Sequence, residues 1–343
     1  MRVAFTKDQN ELTAAVREML VSTCTPADLR RLLESPDAVD EQRWSTAVEM
    51  GILGVLVPEE QGGLGLSVVD FVGIAEAAGY VALPEPLVEL AGVVAPCLAL
   101  AEQDRGWLER VLAGELVAVA DPTAPWVVNA DVAKALLLVA DESVHLVDAS
   151  SVKTERDRSF DQFRRLFKVR WEPGADTDLQ VGCAAMRARG TLFAAAQLLG
   201  LAQRCIDISV GYAKERTQFG RAIGVNQAVK HHLATAQVKV EFARPVVHAA
   251  AAELALGNLA AEARLAHAKI SAAAAADYAA EIAVQVHGAM GYTWEADVHF
   301  FLKRAFALKY AWGDPALQMG RVIERLNKLP TGPDLTFASE VGR

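Results

Sequence analysis

Two short stretches carry the residue types best suited to chemistry. Arg216-Thr217-Gln218-Phe219-Gly220 is followed closely by Asn226-Gln227, and Gln285-Val286-His287-Gly288-Ala289-Met290-Gly291-Tyr292 lies further on. Arg216 offers a guanidinium fork that pairs with two phosphate oxygens at once. Phe219 offers an apolar plane beside it. Gln227 and Gln285 offer amides for a ribose or a base, and Gly288 and Gly291 let backbone approach a ligand closely. A lone helix-end arginine more often caps carbonyls. In this company Arg216 reads as a clamp for the pyrophosphate of a dinucleotide.

The elements that must position these groups are mostly helical. From Asp8 to about Ala113 the pattern is helical, with Leu12, Val16 and Leu20 at four-residue steps. A glycine-rich loop, Leu56 to Leu66, ends at Ser67, an N-cap with Asp70 at the N3 position. Pro84 and Pro86 precede an apolar helix through Ala101. Glu115 to Pro173 reads as β, with runs at Leu116–Ala120, Ala135–Val139, Val144–Val147 and Leu166–Trp171, enough for four or five strands in one small sheet. Helices return at Cys183–Ala213, Val225–Leu256 (kinked at Pro245), Leu259–His287, Asp297–Tyr310 and Pro315–Leu326. Long helices with tight connections read as a four-helix bundle. The expected division is 1–113 as an N-terminal helical domain, 114–178 as a reduced middle β domain, 179–330 as the bundle, and 331–343 as a tail.

Composition narrows the class. The 343 residues are 52% hydrophobic and 22% charged, so a sizeable core is expected and disorder is confined to the tail after Pro330. A formal charge of -9 argues against non-specific nucleic-acid binding. No apolar signal opens the sequence and no apolar run is long enough for a membrane span. The alanine run Ala272–Ala276 is flanked by Lys269, Asp277 and Glu281, the mark of a buried bundle helix. Cys24, Cys97, Cys183 and Cys205 show no paired spacing and read as reduced core thiols of a cytoplasmic protein. His231 and His232 are adjacent and cannot share a helix face, so no metal site is expected.

The order of helical domain, small β domain and four-helix bundle resembles the acyl-CoA dehydrogenase family along nearly the whole chain. Trp44 to Leu66 is similar to the family's helix and "PEEyGGlG" loop. Arg216–Gly220 with Asn226–Ala234 is similar to its "RxQFG … FQaVqHxLAD" run, and Gln285–Ala305 to its "QxxGGxGyxxExxvxrxxRDA" run. The resemblance implies FAD as cofactor, held through Arg216, Gln218, Phe219, Gln227, Gln285, Gly288 and Ala289. In the family these groups reach the FAD of a neighbouring subunit. It further implies α,β-dehydrogenation of an acyl-CoA, with an electron-transfer flavoprotein as acceptor.

Two family features are missing. The family's catalytic glutamate falls, by count from Gly291, on Trp312 within Ala311-Trp312-Gly313-Asp314, and an indole accepts no proton. The alternative base position on the first bundle helix falls on Gly190. Asp314, Asp207 and Glu215 are candidates for a relocated base, although Asp314 with Pro315 also reads as an N-cap, and Asp207 and Glu215 as surface acids. In the β region, Asp121-Pro122-Thr123-Ala124-Pro125 lacks the Gly-Ser-Asp continuation that helps wrap the family's flavin ring. Trp126 and Trp171 are expected in the core of the small sheet. The pattern resembles the base-lacking subunit of heterotetrameric (α2β2) dehydrogenases from sterol-degrading actinobacteria, in which a paralogous partner supplies the glutamate and shares the FAD. Two alternatives stay open: a self-sufficient homotetramer using Asp314 or Asp207, and a flavin-free helical scaffold or acyl-CoA binding protein.

Overall fold

In the computed structural model, residues 5–35, 39–103, 106–257 and 261–328 are described; the expected tail after Pro330 lies outside them. The N-terminal region holds α1 (Lys7–Thr23), α2 (Pro26–Glu34), α3 (Glu41–Glu49) and α4 (Val68–Tyr80). Next come α5 (Leu87–Glu89) and α6 (Ala95–Leu98), joined by a π turn at Leu90–Val94, and then α7 (Trp107–Leu112). Local chemistry sets the starts. Ser67 N and Oγ donate to the Asp70 carboxylate at 2.8 and 2.5 Å, which opens α4 as a capping box. Thr6 with Gln9 and Thr25 with Asp28 do the same for α1 and α2.

The middle region holds seven strands in two sheets, more than the apolar runs alone predict. β1 (Val117–Val119), β3 (Ala135–Ala140), β4 (Ser143–Asp148) and β7 (Asp178–Gly182) form one sheet in the order β1-β3-β4-β7. β1 runs parallel to β3, and the other pairs are antiparallel. β2 (Val127–Val128), β6 (Leu166–Arg170) and β5 (Lys153–Asp157) form the second, with β6 between the other two. β5 is almost wholly exposed and charged, so hydrophobic patterning does not announce it. Trp126 and Trp171 are half-buried rather than in the core: Trp126 donates its indole N–H to Asp157 at 2.9 Å, and Trp171 packs on His145.

The bundle comprises α8 (Cys183–Glu215), α9 (Gln227–Ala255), α10 (Ala261–His287) and α11 (Val298–Tyr310), with α12 (Pro315–Lys328) laid on α10. Every residue of α8 from Gly190 to Ala202 is buried, the pattern of a helix covered on all sides. α4 crosses it in direct contact: a Cβ at Gly200 would lie 1.9 Å from the Glu76 carbonyl oxygen, and one at Gly79 2.0 Å from that of Gln197. Phe71 of α4 meets Phe193 of α8 edge-on at 4.9 Å. In α10 the alanines from Ala272 to Ala283, the exposed Ala274 apart, are buried and let neighbouring helices approach closely. Pro245 lies inside α9.

Charged links tie the chain's two ends. Arg30 donates to the Trp294 and Glu295 carbonyls at 2.7 and 3.0 Å and pairs with Asp297. Arg304 of α11 donates to the Leu83 carbonyl at 2.6 Å and pairs with Asp161, both side chains buried. Arg43 pairs bidentately with Glu85 at 2.9 and 2.6 Å, and both are buried.

Candidate functional site

The two clamp stretches meet at one end of the bundle. Ala213 near the end of α8 packs with Ile282 and Val286 of α10, and Ile223 from the turn before α9 closes over them with Val229 and Leu233 from its start. Tyr212 stacks on His287 with ring centroids 4.2 Å apart. His287 Nδ1 donates to the Ala283 carbonyl at 2.7 Å, the helix-end role its position suggests, and burial holds its pKa below the usual histidine value.

From that platform a two-residue hairpin projects. α8 ends at Glu215, and β8 (Thr217–Gln218) pairs antiparallel with β9 (Arg221–Ala222). Phe219 and Gly220 form the turn, with φ of +52° and +78°. Two left-handed residues in succession match a type I′ turn, whose twist suits a tight hairpin. Asn and Gly are the usual occupants, and a phenylalanine there is unfavourable. Phe219 is 100% exposed. Arg221 donates to Asn226 Oδ1 at 3.1 Å and steadies the entry to α9.

Arg216, Gln218, Gln227, Gln285, Gly288 and Ala289 are all exposed around this platform. None of the Arg216, Gln218, Gln227 and Gln285 side chains bonds to a described residue, so Arg216 does not cap the helix it ends. Lys214, Arg221 and Lys230 are exposed on the same elements and add positive charge. Gly288 turns left-handed at φ +59° and stops α10. Gly291 plays a different part from the one expected: it is buried under its own chain, where a Cβ would lie 2.7 Å from the Val284 carbonyl oxygen. A ligand held by this set would lie outside the chain's own envelope, against an open face.

The expected base region is a separate place. Trp312 is buried, 6% exposed, and lies against Gly190, the other candidate base position. A Cβ at Gly190 would lie 2.2 Å from the indole. The indole also lines a cavity of about 40 Å³ between the 83–89 segment, the sheets and the bundle, with Glu89, Asp121, Arg164, Gln197 and Arg304 among its walls. Ligand pockets for drug-sized molecules run to roughly 300–1,000 Å³, so no isoalloxazine ring fits this space as it stands.

Two of the three carboxylates considered as relocated bases hold other hydrogen bonds. Asp314 is exposed and accepts the Leu317 N–H at 2.7 Å, which makes it the N-cap of α12. Asp207 accepts from Tyr80 Oη at 2.8 Å and Gln203 Nε2 at 2.9 Å on the surface of α8. Glu215 is exposed at the end of α8, and its carboxylate pairs with neither Lys214 nor Arg216.

Several buried or bonded polar residues near these regions escape sequence reasoning. Lys269 is 1% exposed, and its Nζ donates to the carbonyls of Lys309, Ala311 and Gly313 at 3.2, 2.5 and 3.3 Å. Burial pulls its pKa down to about 7. Its spacing from Ala272 and Ala273 places it on the buried face of α10, a signal the sequence does hold. Asp121 accepts the Trp312 backbone N–H as well as shaping its own turn through Thr123 at 2.9 and 2.6 Å. His299 is buried between Trp294 and Phe300, not on a helix surface, and burial drops its pKa to about 4. Glu295 hydrogen-bonds to Thr293 and not to Lys303 or Arg304; Lys303 lies over the Trp294 ring at 4.0 Å.

Comparison with known proteins agrees with this architecture. Residues 6–115 match the acyl-CoA dehydrogenase N-terminal domain and residues 185–327 the C-terminal domain. Acyl-CoA dehydrogenase IpdE2 of Mycolicibacterium smegmatis is 31% identical over 319 residues, covering 92% of this chain and 98% of that protein. The chain belongs to the acyl-CoA dehydrogenase family. IpdE2 of Mycobacterium tuberculosis is 31% identical over 300 residues, 87% of this chain and 91% of the relative. The fold also matches the ChsE4-ChsE5 complex from Mycobacterium tuberculosis, with a TM-score of 0.85 at 24% identity over 96% of this chain and 100% of that one. The Tcur3481-Tcur3483 steroid ACAD G363A variant matches with a TM-score of 0.83, also at 24% identity, over 94% and 98%. Family membership makes the protein an oxidoreductase of FAD-dependent type. Among the described residues no helix is long and apolar enough to cross a membrane, and no three His, Cys, Asp or Glu converge as a metal site. All four cysteines are buried and unpaired.

Proposed function

We propose that this chain is the base-lacking subunit of a heteromeric, FAD-dependent acyl-CoA dehydrogenase. One observation carries the reading: the dinucleotide-type groups are gathered on an open face of the bundle, apart from Trp312 and Gly190, which stand where the family resemblance expects a base. Arg216, Gln218, Phe219, Gln227, Gln285, Gly288 and Ala289 would hold the adenosine diphosphate end of an FAD whose ring lies in a paralogous partner. The guanidinium of Arg216 binds the pyrophosphate, Lys214, Arg221 and Lys230 add charge, and the two glutamines orient the sugar and base. When bound, FAD supplies hydride acceptance, and the partner's carboxylate supplies the base. Two neighbours of the same fold support a paired assembly: one is described as a ChsE4-ChsE5 complex, the other as a steroid ACAD. The second points to a bulky steroid-derived CoA thioester as substrate.

The test is flavin content after co-expression with the neighbouring paralogous dehydrogenase. A colourless lone chain and a yellow α2β2 assembly with about one FAD per heterodimer are expected. Arg216→Ala should strip flavin from the assembly without unfolding the chain. A yellow homo-oligomer, or an Arg216→Ala assembly with full flavin, overturns the proposal.

A further inference from the structure

The turn that carries Trp312 is held more firmly than a surface connection requires. Trp312 and Gly313 both take positive φ, +58° and +97°. A tryptophan persists there only when its surroundings over-determine the turn. Lys269 of α10 gathers the carbonyls of Lys309, Ala311 and Gly313. The Trp312 carbonyl accepts from Gln318 Nε2 of α12 at 2.7 Å and from Thr191 Oγ1 of α8 at 3.3 Å. Its N–H donates to Asp121 from the β region. Four separate parts of the fold therefore fix one residue, and three of the groups that do so, Lys269, Gln318 and Thr191, are buried.

What they fix is a large flat side chain pressed into the junction of three regions. The indole rests on Gly190, where no other residue leaves room for it. The cavity beside it has mixed walls: Leu116, Val119, Val128 and Phe163 are apolar, and Asp121, Arg164, Gln197 and Arg304 are polar or charged.

We infer that the Trp312 indole is a plug that closes a ligand-sized site in this chain, and that Lys269 is the latch holding the plug's turn. The inference rests on the proposed function, and deepens it: the chain's own site is filled by its own side chain and takes no acyl group or flavin. Removing the indole opens a pocket for a planar aromatic of the same size against Gly190.

The full-length chain with Trp312→Gly tests this. Glycine keeps the left-handed turn at no cost, so the loss is confined to the indole. The variant should melt several degrees below the wild type, and free indole at millimolar concentration should restore much of that loss while leaving the wild type unmoved. A folded variant that ignores indole, or a wild type that responds equally, overturns the plug. A second measurement covers a variant that does not fold. With 5-fluorotryptophan incorporated, the 19F resonance lost in Trp312→Phe identifies residue 312; Lys269→Met should shift or broaden that resonance and leave those of Trp44, Trp107 and Trp126 in place. An unchanged resonance overturns the latch. These outcomes are independent of flavin content: a yellow homo-oligomer would sink the subunit reading, and an indole-blind Trp312→Gly would sink the plug alone.

Discussion

Phe219 is disadvantageous to the chain that carries it. It takes left-handed φ at +52°, a conformation that costs an L-residue roughly 1–2 kcal/mol. It is 100% exposed and gives back no burial within the chain. Asn tolerates the same backbone far better and is the favoured residue of a type I′ turn. Phe219→Asn should therefore leave the free chain as stable as before, or stabilise it by up to about 1 kcal/mol. The proposed assembly should respond the opposite way. Fully burying a phenylalanine side chain contributes about 1.5–3 kcal/mol. Taking about 2 kcal/mol, and about 1.4 kcal/mol per factor of ten, the variant should weaken association by about 30-fold. Urea denaturation of the lone chain and titration of the variant into its partner, followed by flavin retention, read the two effects separately. A destabilised lone chain would show that Phe219 serves the fold. An assembly of unchanged affinity would show that the hairpin does not enter a partner.

The remaining expectations concern the interior. Glu85→Ala leaves the Arg43 guanidinium buried without its carboxylate and should cost about 3–5 kcal/mol in urea denaturation; a loss below about 1 kcal/mol would mean that Arg43 finds water or another partner. Burial lowers the pKa of both His248 and His299 from 6.5 to about 4. The unfolded chain then binds more protons than the folded one between these values, so stability is full above pH 6.5 and falls as pH drops towards 4. Chemical denaturation across that range should show the slope, and His248→Gln with His299→Gln should flatten it. Lys269, lowered from 10.5 to about 7, adds a rise in stability as pH increases between those values, absent in Lys269→Met.

Much of the architecture is legible in the sequence because it rests on local rules. Ser67 with Asp70 announces α4, and the long apolar periods announce α8, α9 and α10 to within a few residues. β5 is not legible, because Lys153–Asp157 is charged and exposed and gains its strand conformation from pairing with β6. The clamp residues are identifiable as types, yet their exposure on a common face depends on the Ala213, Ile282 and Val286 contacts between separate helices. The contact of Trp312 with Gly190 joins positions far apart in the chain, and no periodicity foretells it. The burial of His299 is not legible either, because the helical pattern is silent on Trp294, whose ring lies against it.

The links between Arg304 and Leu83, and between Arg30 and Trp294, also set an order of events at the ribosome. These partners are 221 and 264 residues apart. At roughly 5–20 residues per second, roughly 10–45 s separate the emergence of Leu83 from that of Arg304. Through that interval the N-terminal helices lack α11, and for its first part, until Glu215 emerges, α4 also lacks the α8 surface that buries Phe71. The first hundred residues thus spend their early life with apolar faces open, and complete their fold only when the last quarter of the chain arrives. A chain built this way depends on protection during synthesis, and nonsense truncations before α11 should yield aggregation-prone fragments rather than a smaller folded domain.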